Sequence, residues 1–155
     1  MAESPAAGER APAVSFSGPD GPLALAEALR DGPLVLLFFQ EAGTPGCAAQ
    51  VRGFAAEYDL IRELGARVLA VSVDPAEAQA RFADQLAAPF PILTDPDGAA
   101  ARAFGVFDHT NRRSNRAVFV IDQGGTVTLA HAWYTPQNSS QFEEVFAALG
   151  LDPGA

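Results

Sequence analysis

Two stretches of the chain are apolar almost without interruption: Leu34 to Phe39, LVLLFF, and Ala66 to Val73, ARVLAVSV. Runs of this length without alternation predict strands buried on both faces, as in a parallel sheet covered on each side. Between them the period changes to that of a helix. Val51, Phe54, Ala55, Tyr58, Ile61 and Leu64 recur every three or four residues, which predicts one amphipathic helix. Thr44 stands at its N-cap, Pro45 at its first position, where a missing N–H costs nothing, and Gly65 at its stop.

The same reading extends along the chain. The turn residues Gly18 to Gly21 break APAVSFSGPDGPLAL into short extended pieces, and ALAEALRDG predicts a short helix ending near Gly32-Pro33. Asp74, Pro75 and Glu77 predict the capped start of a helix over PAEAQARFADQLA. FPILTD reads as a short strand and DGAAARAFG as a short helix. AVFVID and TVTLAHAW flank Gln123-Gly124-Gly125 as a β-hairpin, and Ser140 with Glu143 forms a capping box for a last helix, QFEEVFAAL. The order β-α-β-α-β-α-β-β-α predicts an α/β fold: a central mixed sheet with helices on both faces. Residues 1–10, rich in Ala, Pro, Gly and Ser, are expected to form a flexible arm, and residues 11–155 a single domain.

Composition narrows the function classes. The net charge of −9 disfavours nucleic acid and anionic membrane surfaces as partners. No apolar run approaches the roughly 20 residues of a membrane span, and the N-terminus carries no apolar leader segment. A single cysteine, Cys47, excludes an internal disulfide. The expected compartment is the cytoplasm, which is reducing. No cofactor is implied. One cysteine and two histidines, His109 and His131, lie far apart in sequence and do not make a metal site.

Cys47 carries the candidate chemistry. With Thr44 at the N-cap, Cys47 falls at the third position of the helix, beside main-chain N–H groups that no helical carbonyl accepts. Those donors and the helix dipole favour a thiolate, the nucleophilic form. Open α/β sheets place their sites at this kind of strand-to-helix junction. Gly46 removes bulk beside the sulfur, leaving room for a small substrate. The plainer alternative is a cysteine tucked into the core as a small hydrophobe. A Cys-X-X-Cys redox pair is excluded, because Thr44 stands where the second thiol would be.

TPGCAAQ after an apolar strand resembles the active-site loop of peroxiredoxins, Pro-x-x-x-Thr-x-x-Cys, especially of the bacterioferritin-comigratory type. GERAPAVSF, ARVLAVSVD, FPILTDPDGAAARAFGVF and NRAVFVIDQGG resemble further segments of that family in the same order. The resemblance implies a thioredoxin-like fold and a thiol-dependent peroxidase. In that family's terms Cys47 is the nucleophile, Thr44 hydrogen-bonds thiolate and peroxide, and Arg116 lies against the sulfur to stabilise charge on the peroxide oxygens. Gly46, Gln40 and Gln50 are the expected substrate-side residues. The implied partners are a peroxide and an external thiol reductant, either a low-molecular-weight thiol, thioredoxin or glutaredoxin, and the implied assembly includes a homodimer.

Three departures distinguish this chain from the family pattern. Gln40 stands where the family has a proline that packs over the thiolate, Gln50 where it often has glutamate, and Arg52 where the comigratory type has a resolving cysteine. The last makes the chain similar to one-cysteine peroxiredoxins such as the alkyl hydroperoxide reductase E type. Gln40 is expected to leave a wetter site, open to overoxidation. A second reading is a thioredoxin-fold module that binds or senses through Cys47 with little turnover. Arg112 and Arg113 are expected to matter less for peroxide reduction than Arg116. Trp133 and Tyr134 are read as packing residues, and His109 and His131 as loop and hairpin residues.

Overall fold

The computed structural model describes residues 3–150. A seven-stranded sheet runs through its centre, in the order β2-β1-β5-β4-β3-β8-β9. Its strands are β1 (Ser15–Gly18), β2 (Gly21–Ala24), β3 (Leu34–Phe38), β4 (Arg67–Ser72), β5 (Ile92–Thr94), β8 (Ala117–Ile121) and β9 (Val127–His131). β3, β4 and β5 are parallel, while β8 adds antiparallel to β3, β9 antiparallel to β8, and β1 antiparallel to β5. The sheet is therefore mixed, as the late hairpin predicts. Every residue of β3 and of β8 is buried, which explains their unbroken apolar sequences.

Alternate residues of the central strands serve two cores. Val35, Leu37, Val68, Ala70, Val118 and Val120 meet Val51 and Phe54 of α2 (Pro45–Ala56), Tyr58 and Ile61 of α3 (Tyr58–Glu63), Phe82 of α4 (Ala76–Leu86) and Val145 of α6 (Ser139–Ala148). Leu34, Leu36, Phe38, Leu69, Val71 and Phe119 face the other way, onto Leu25 of α1 (Leu25–Ala28) and Ala100 and Ala101 of α5 (Ala99–Ala103). The period-2 alternation of a strand puts successive side chains into opposite cores. Phe38, Phe104 and Phe119 make tilted and edge contacts there at 4.9–6.0 Å.

Several local expectations are corrected. The helix after Cys47 is interrupted at Glu57 (φ −107°, ψ 14°) and continues as α3; its stop at Gly65 holds, with φ +85° and the Ala66 N–H donating to the Ile61 carbonyl. Asn138, not Ser140, caps α6, accepting from the N–H groups of Ser140 and Gln141. Pro75 takes the N-cap position of α4, and Asp74 turns elsewhere. A small hairpin of β6 (Phe107–Asp108) and β7 (Arg113–Ser114) was not foreseen, because its strands are two residues long. Of the arm expected over residues 1–10, Met1 and Ala2 lie outside the described residues. The rest is tied down towards its end: Gly8 donates to Val127, Val127 donates to Glu9, and Arg10 bridges Thr126. No helix of the described residues is long and apolar enough to cross a membrane.

Candidate active site

The site forms where β3 gives way to α2. Thr44 adopts the extended N-cap conformation (φ −77°, ψ 146°), Pro45 occupies the first turn, and the Ala48 N–H donates to the Thr44 carbonyl. Cys47 consequently lies at the third helical position, as the sequence predicts. The Thr44 hydroxyl, however, caps no helical N–H. It donates back to the Glu41 carbonyl at 2.9 Å, so in this conformation it is turned away from the role expected for it.

Cys47 has no exposed surface and borders the core of Phe39, Val51 and Phe54. Burial alone would fit a core filler. The sulfur nevertheless has a polar partner: the main-chain N–H of Gln40 donates to Sγ at 3.2 Å. This donor exists only because residue 40 is not proline.

Arg116, the residue before β8, reaches the same place from a distance of 76 positions in the chain. Its Nη1 donates to Gln40 Oε1 at 3.1 Å. Its guanidinium packs closely enough on Gly46 that a Cβ there would stand 2.8 Å from Nη1. Gly46 thus makes room for the arginine, and through it for whatever the arginine binds. Arg116 Nε is buried without a partner, an unspent donor at the site. Arg113 instead pairs with Glu41 at 3.2 Å on a partly exposed surface, and Arg112 sits exposed at φ +55°. Of the three neighbouring arginines, Arg113 meets the cysteine loop at Glu41, and Arg116 alone reaches Gln40 and Gly46.

Gln50 departs from its expected place on the substrate side. It is 1% exposed, and its Nε2 donates to the carbonyls of Phe38 and Ala117 at 3.1 and 3.3 Å. Those two residues are paired across β3 and β8, so Gln50 braces the strand ends behind the site and has no donor left for a substrate. Gln40 is half-buried, and its carboxamide oxygen accepts from Arg116.

Sequence reasoning missed Asp74. Its Oδ2 accepts from the Ala42 N–H at 2.9 Å and from the Ser72 hydroxyl, while Gln79 Nε2 donates to Ser72 Oγ at 2.9 Å. This chain of polar groups ties the cysteine loop to the end of β4. The signal was present as an acidic residue directly after a strand, but it reads equally well as a helix cap. Tyr134 was also undervalued: its N–H donates to the Arg116 carbonyl at 2.7 Å, its ring packs on Phe54, and burial pushes its hydroxyl up to a pKa of about 12. His131 lies 3.4 Å from Glu144, and His109 rests edge-on against Phe107. Trp133 is 66% exposed, not packed, and lines a cleft of about 560 Å³ with Arg102, Phe107, His109 and Asn115. Among the described residues no cluster of His, Cys, Asp and Glu is placed to hold a metal.

Comparison with known proteins decides the family. The pattern of the AhpC/TSA family matches residues 7–130. The chain belongs to that family. It is 27% identical over 127 residues to a Coxiella burnetii protein named as a peroxiredoxin, bcp, covering 78% of this chain and 84% of the relative. Among solved structures, peroxidoxin BcpB from Mycobacterium tuberculosis superposes with a TM-score of 0.84 at 28% identity, over 94% of this chain and 96% of that one. Peroxiredoxin Q from Xanthomonas campestris gives 0.75 at 26% identity, over 88% and 89%. The fold is α/β and thioredoxin-like, and the chain is a peroxiredoxin of the bacterioferritin-comigratory kind.

Proposed function

We propose that this peroxiredoxin works as a one-cysteine thiol peroxidase, reducing hydrogen peroxide or small organic hydroperoxides through Cys47. The observation that carries the reading is the Cys47 sulfur at a helix start, accepting from the Gln40 N–H, with an arginine held on its loop neighbours Gln40 and Gly46. In the first step the thiolate lone pair attacks one peroxide oxygen. The O–O bond breaks, its electron pair leaves on the second oxygen, and that oxygen takes a proton to become water or an alcohol. Sulfur is oxidised by two electrons to sulfenic acid as the peroxide is reduced. The leaving oxygen gains negative charge as the bond breaks, so the Arg116 guanidinium, with its unspent Nε, lowers the barrier. The Thr44 hydroxyl joins this donor set by rotating away from Glu41.

An external thiol then attacks the sulfenic sulfur, releasing water and leaving a mixed disulfide. A second thiol reduces that disulfide and returns Cys47. The chain holds no second cysteine to do this, so the reductant is a low-molecular-weight thiol, a thioredoxin or a glutaredoxin, and the setting is the cytoplasm. Cys47 has no exposed surface, so a peroxide reaches it after the 40–46 segment shifts. Light scattering reports whether the working form is the homodimer that the resemblance allows.

The same burial favours a second reading, a redox-sensing module with little turnover. Stopped-flow mixing of reduced protein with hydrogen peroxide separates the two. A second-order rate far above that of free cysteine, abolished in Cys47→Ser, is the result expected of a peroxidase. A rate no greater than that of an ordinary thiol overturns the proposal and leaves the sensing module.

A further inference from the structure

We infer that Gln40 is a positioning residue of this site: its main-chain N–H holds the Cys47 thiolate, and its carboxamide oxygen aims the Arg116 guanidinium across Gly46. The inference rests on the thiol-peroxidase reading and assigns Gln40 two roles that a proline, its counterpart in the resembled pattern, cannot fill.

The main-chain half follows from where the sheet ends. The Phe39 N–H is still spent on the Val71 carbonyl at 3.0 Å. Gln40 supplies the next main-chain donor, beyond the last β3–β4 bond, and it turns to Cys47 Sγ at 3.2 Å. A hydrogen bond to an ionised acceptor in a partly buried place is stronger than a neutral one, so this contact tightens on the sulfur when it carries the charge of the nucleophile. The side-chain half concerns direction. A guanidinium with its Nε unpartnered and its Nη1 end beside a glycine is poorly constrained in rotation. The 3.1 Å bond from Nη1 to Gln40 Oε1 fixes it. One residue thereby sets the distance between the nucleophile and the charge that stabilises the leaving oxygen. Gln40 acts through these two groups and does not itself touch the reacting oxygens.

The two halves come apart in mutants. Gln40→Met keeps the N–H and the length of the side chain but removes the acceptor. Gln40→Pro removes both. Two rates are measured at one pH: reduction of hydrogen peroxide, which needs thiolate and Arg116, and alkylation by neutral iodoacetamide, which needs the thiolate alone. Losing one hydrogen bond of about 1.4 kcal/mol corresponds to about tenfold in rate. Gln40→Met is expected to lose about tenfold with peroxide and to alkylate within about twofold of wild type, while Gln40→Pro, lacking both bonds, loses about tenfold in alkylation and about a hundredfold with peroxide. A Gln40→Met protein that reduces peroxide at the wild-type rate, or that loses both rates equally, overturns the aiming role. A Gln40→Pro protein that alkylates like wild type overturns the thiolate role. Should Gln40→Pro not fold, amide hydrogen exchange decides that half: the Gln40 N–H is expected to exchange at least about tenfold faster in Cys47→Ala than in reduced wild type, and equal exchange overturns it. Wild-type protein that reacts with peroxide only as free cysteine does would sink the peroxidase reading and the aiming role together, whereas alkylation and exchange would still report on the bond to sulfur.

Discussion

Replacing Gly46 by alanine separates the site from the fold. The position is helical and carries no positive φ, so the backbone accepts a Cβ, and alanine is the better helix former by up to about 1 kcal/mol. The obstacle is Arg116. A Cβ at Gly46 would stand 2.8 Å from Nη1, whereas ordinary contact begins near 3.4 Å, so the guanidinium must retreat by about 0.6 Å. The tip of a long side chain moves easily, and the main casualty is its 3.1 Å bond to Gln40 Oε1, worth about 1 kcal/mol. Gain and loss nearly cancel, and the melting temperature should stay within about 2–4 °C of wild type for a chain of this size. Catalysis has no such compensation. A misplacement of about 1 Å in a catalytic group can remove about a hundredfold in rate, so a shift of about 0.6 Å is expected to lower the peroxide rate between about tenfold and a hundredfold. Stopped-flow peroxide reduction and thermal melting on the same preparations test this. An unchanged peroxide rate would refute the placement of Arg116 against the reacting oxygens. A rate loss accompanied by a fall in Tm beyond about 4 °C would count equally against it, since the loss would then be one of structure.

Other expected outcomes follow from the same geometry. Arg116→Lys should lower the peroxide rate by roughly a hundredfold, because a point charge cannot replace a planar fork, whereas Arg113→Lys, on an exposed pair with Glu41, should change it little; equal losses in the two variants would contradict the assignment. Gln50→Glu should destabilise the fold by at least about 3 kcal/mol in urea unfolding, since it sets a buried carboxylate against the Phe38 and Ala117 carbonyls; a neutral effect would mean that Gln50 is not the brace described. Burial raises the Asp95 pKa, against the opposing pull of the Ala100 and Ala101 N–H groups and of Arg102. The folded state therefore holds that proton more tightly than the unfolded chain, and the stabilising contribution is present below the unfolded value of about 3.8 and is lost as pH rises through the folded one. The stability advantage of wild type over Asp95→Asn should shrink as pH rises from about 4, and an advantage that grows instead would show that the two N–H donors outweigh desolvation.

The parts of this fold legible in the sequence were those in which one local pattern admits one solution. β3 and β8 are buried on both faces, so their sequences contain nothing but apolar residues. Thr44-Pro45-Gly46-Cys47 announces a helix start whatever surrounds it. What escaped depended on partners remote in the chain. Gln50 has the same sequence context whether it faces a substrate or two carbonyls 12 and 67 residues away. Asp74 at a strand end satisfies the rules for a helix cap, and only the fold brings Ala42 to it, 32 residues distant. The resemblance of NRAVFVID to a family segment indicated Arg116, but no spacing rule could show that Gln40 would hold it. Thr44 met the rule for a cap in its backbone and broke it in its side chain, whose hydroxyl donates back to the Glu41 carbonyl and accepts from no helical N–H.

The strip formed by residues 8–11 has a consequence for the chain's solubility. β9 is the last strand of the sheet, and an open terminal strand is a template on which other chains can polymerise. Glu9 and Gly8 occupy both main-chain groups of Val127, Ala11 takes the Gly125 carbonyl, and Arg10 sits opposite Thr126. The strip works as a selvedge along the start of that border. Proteolytic trimming that removed it would unravel the border at Gly125–Val127 and offer it to neighbouring molecules, so residues 8–11 guard against aggregation while lying outside the chemistry altogether.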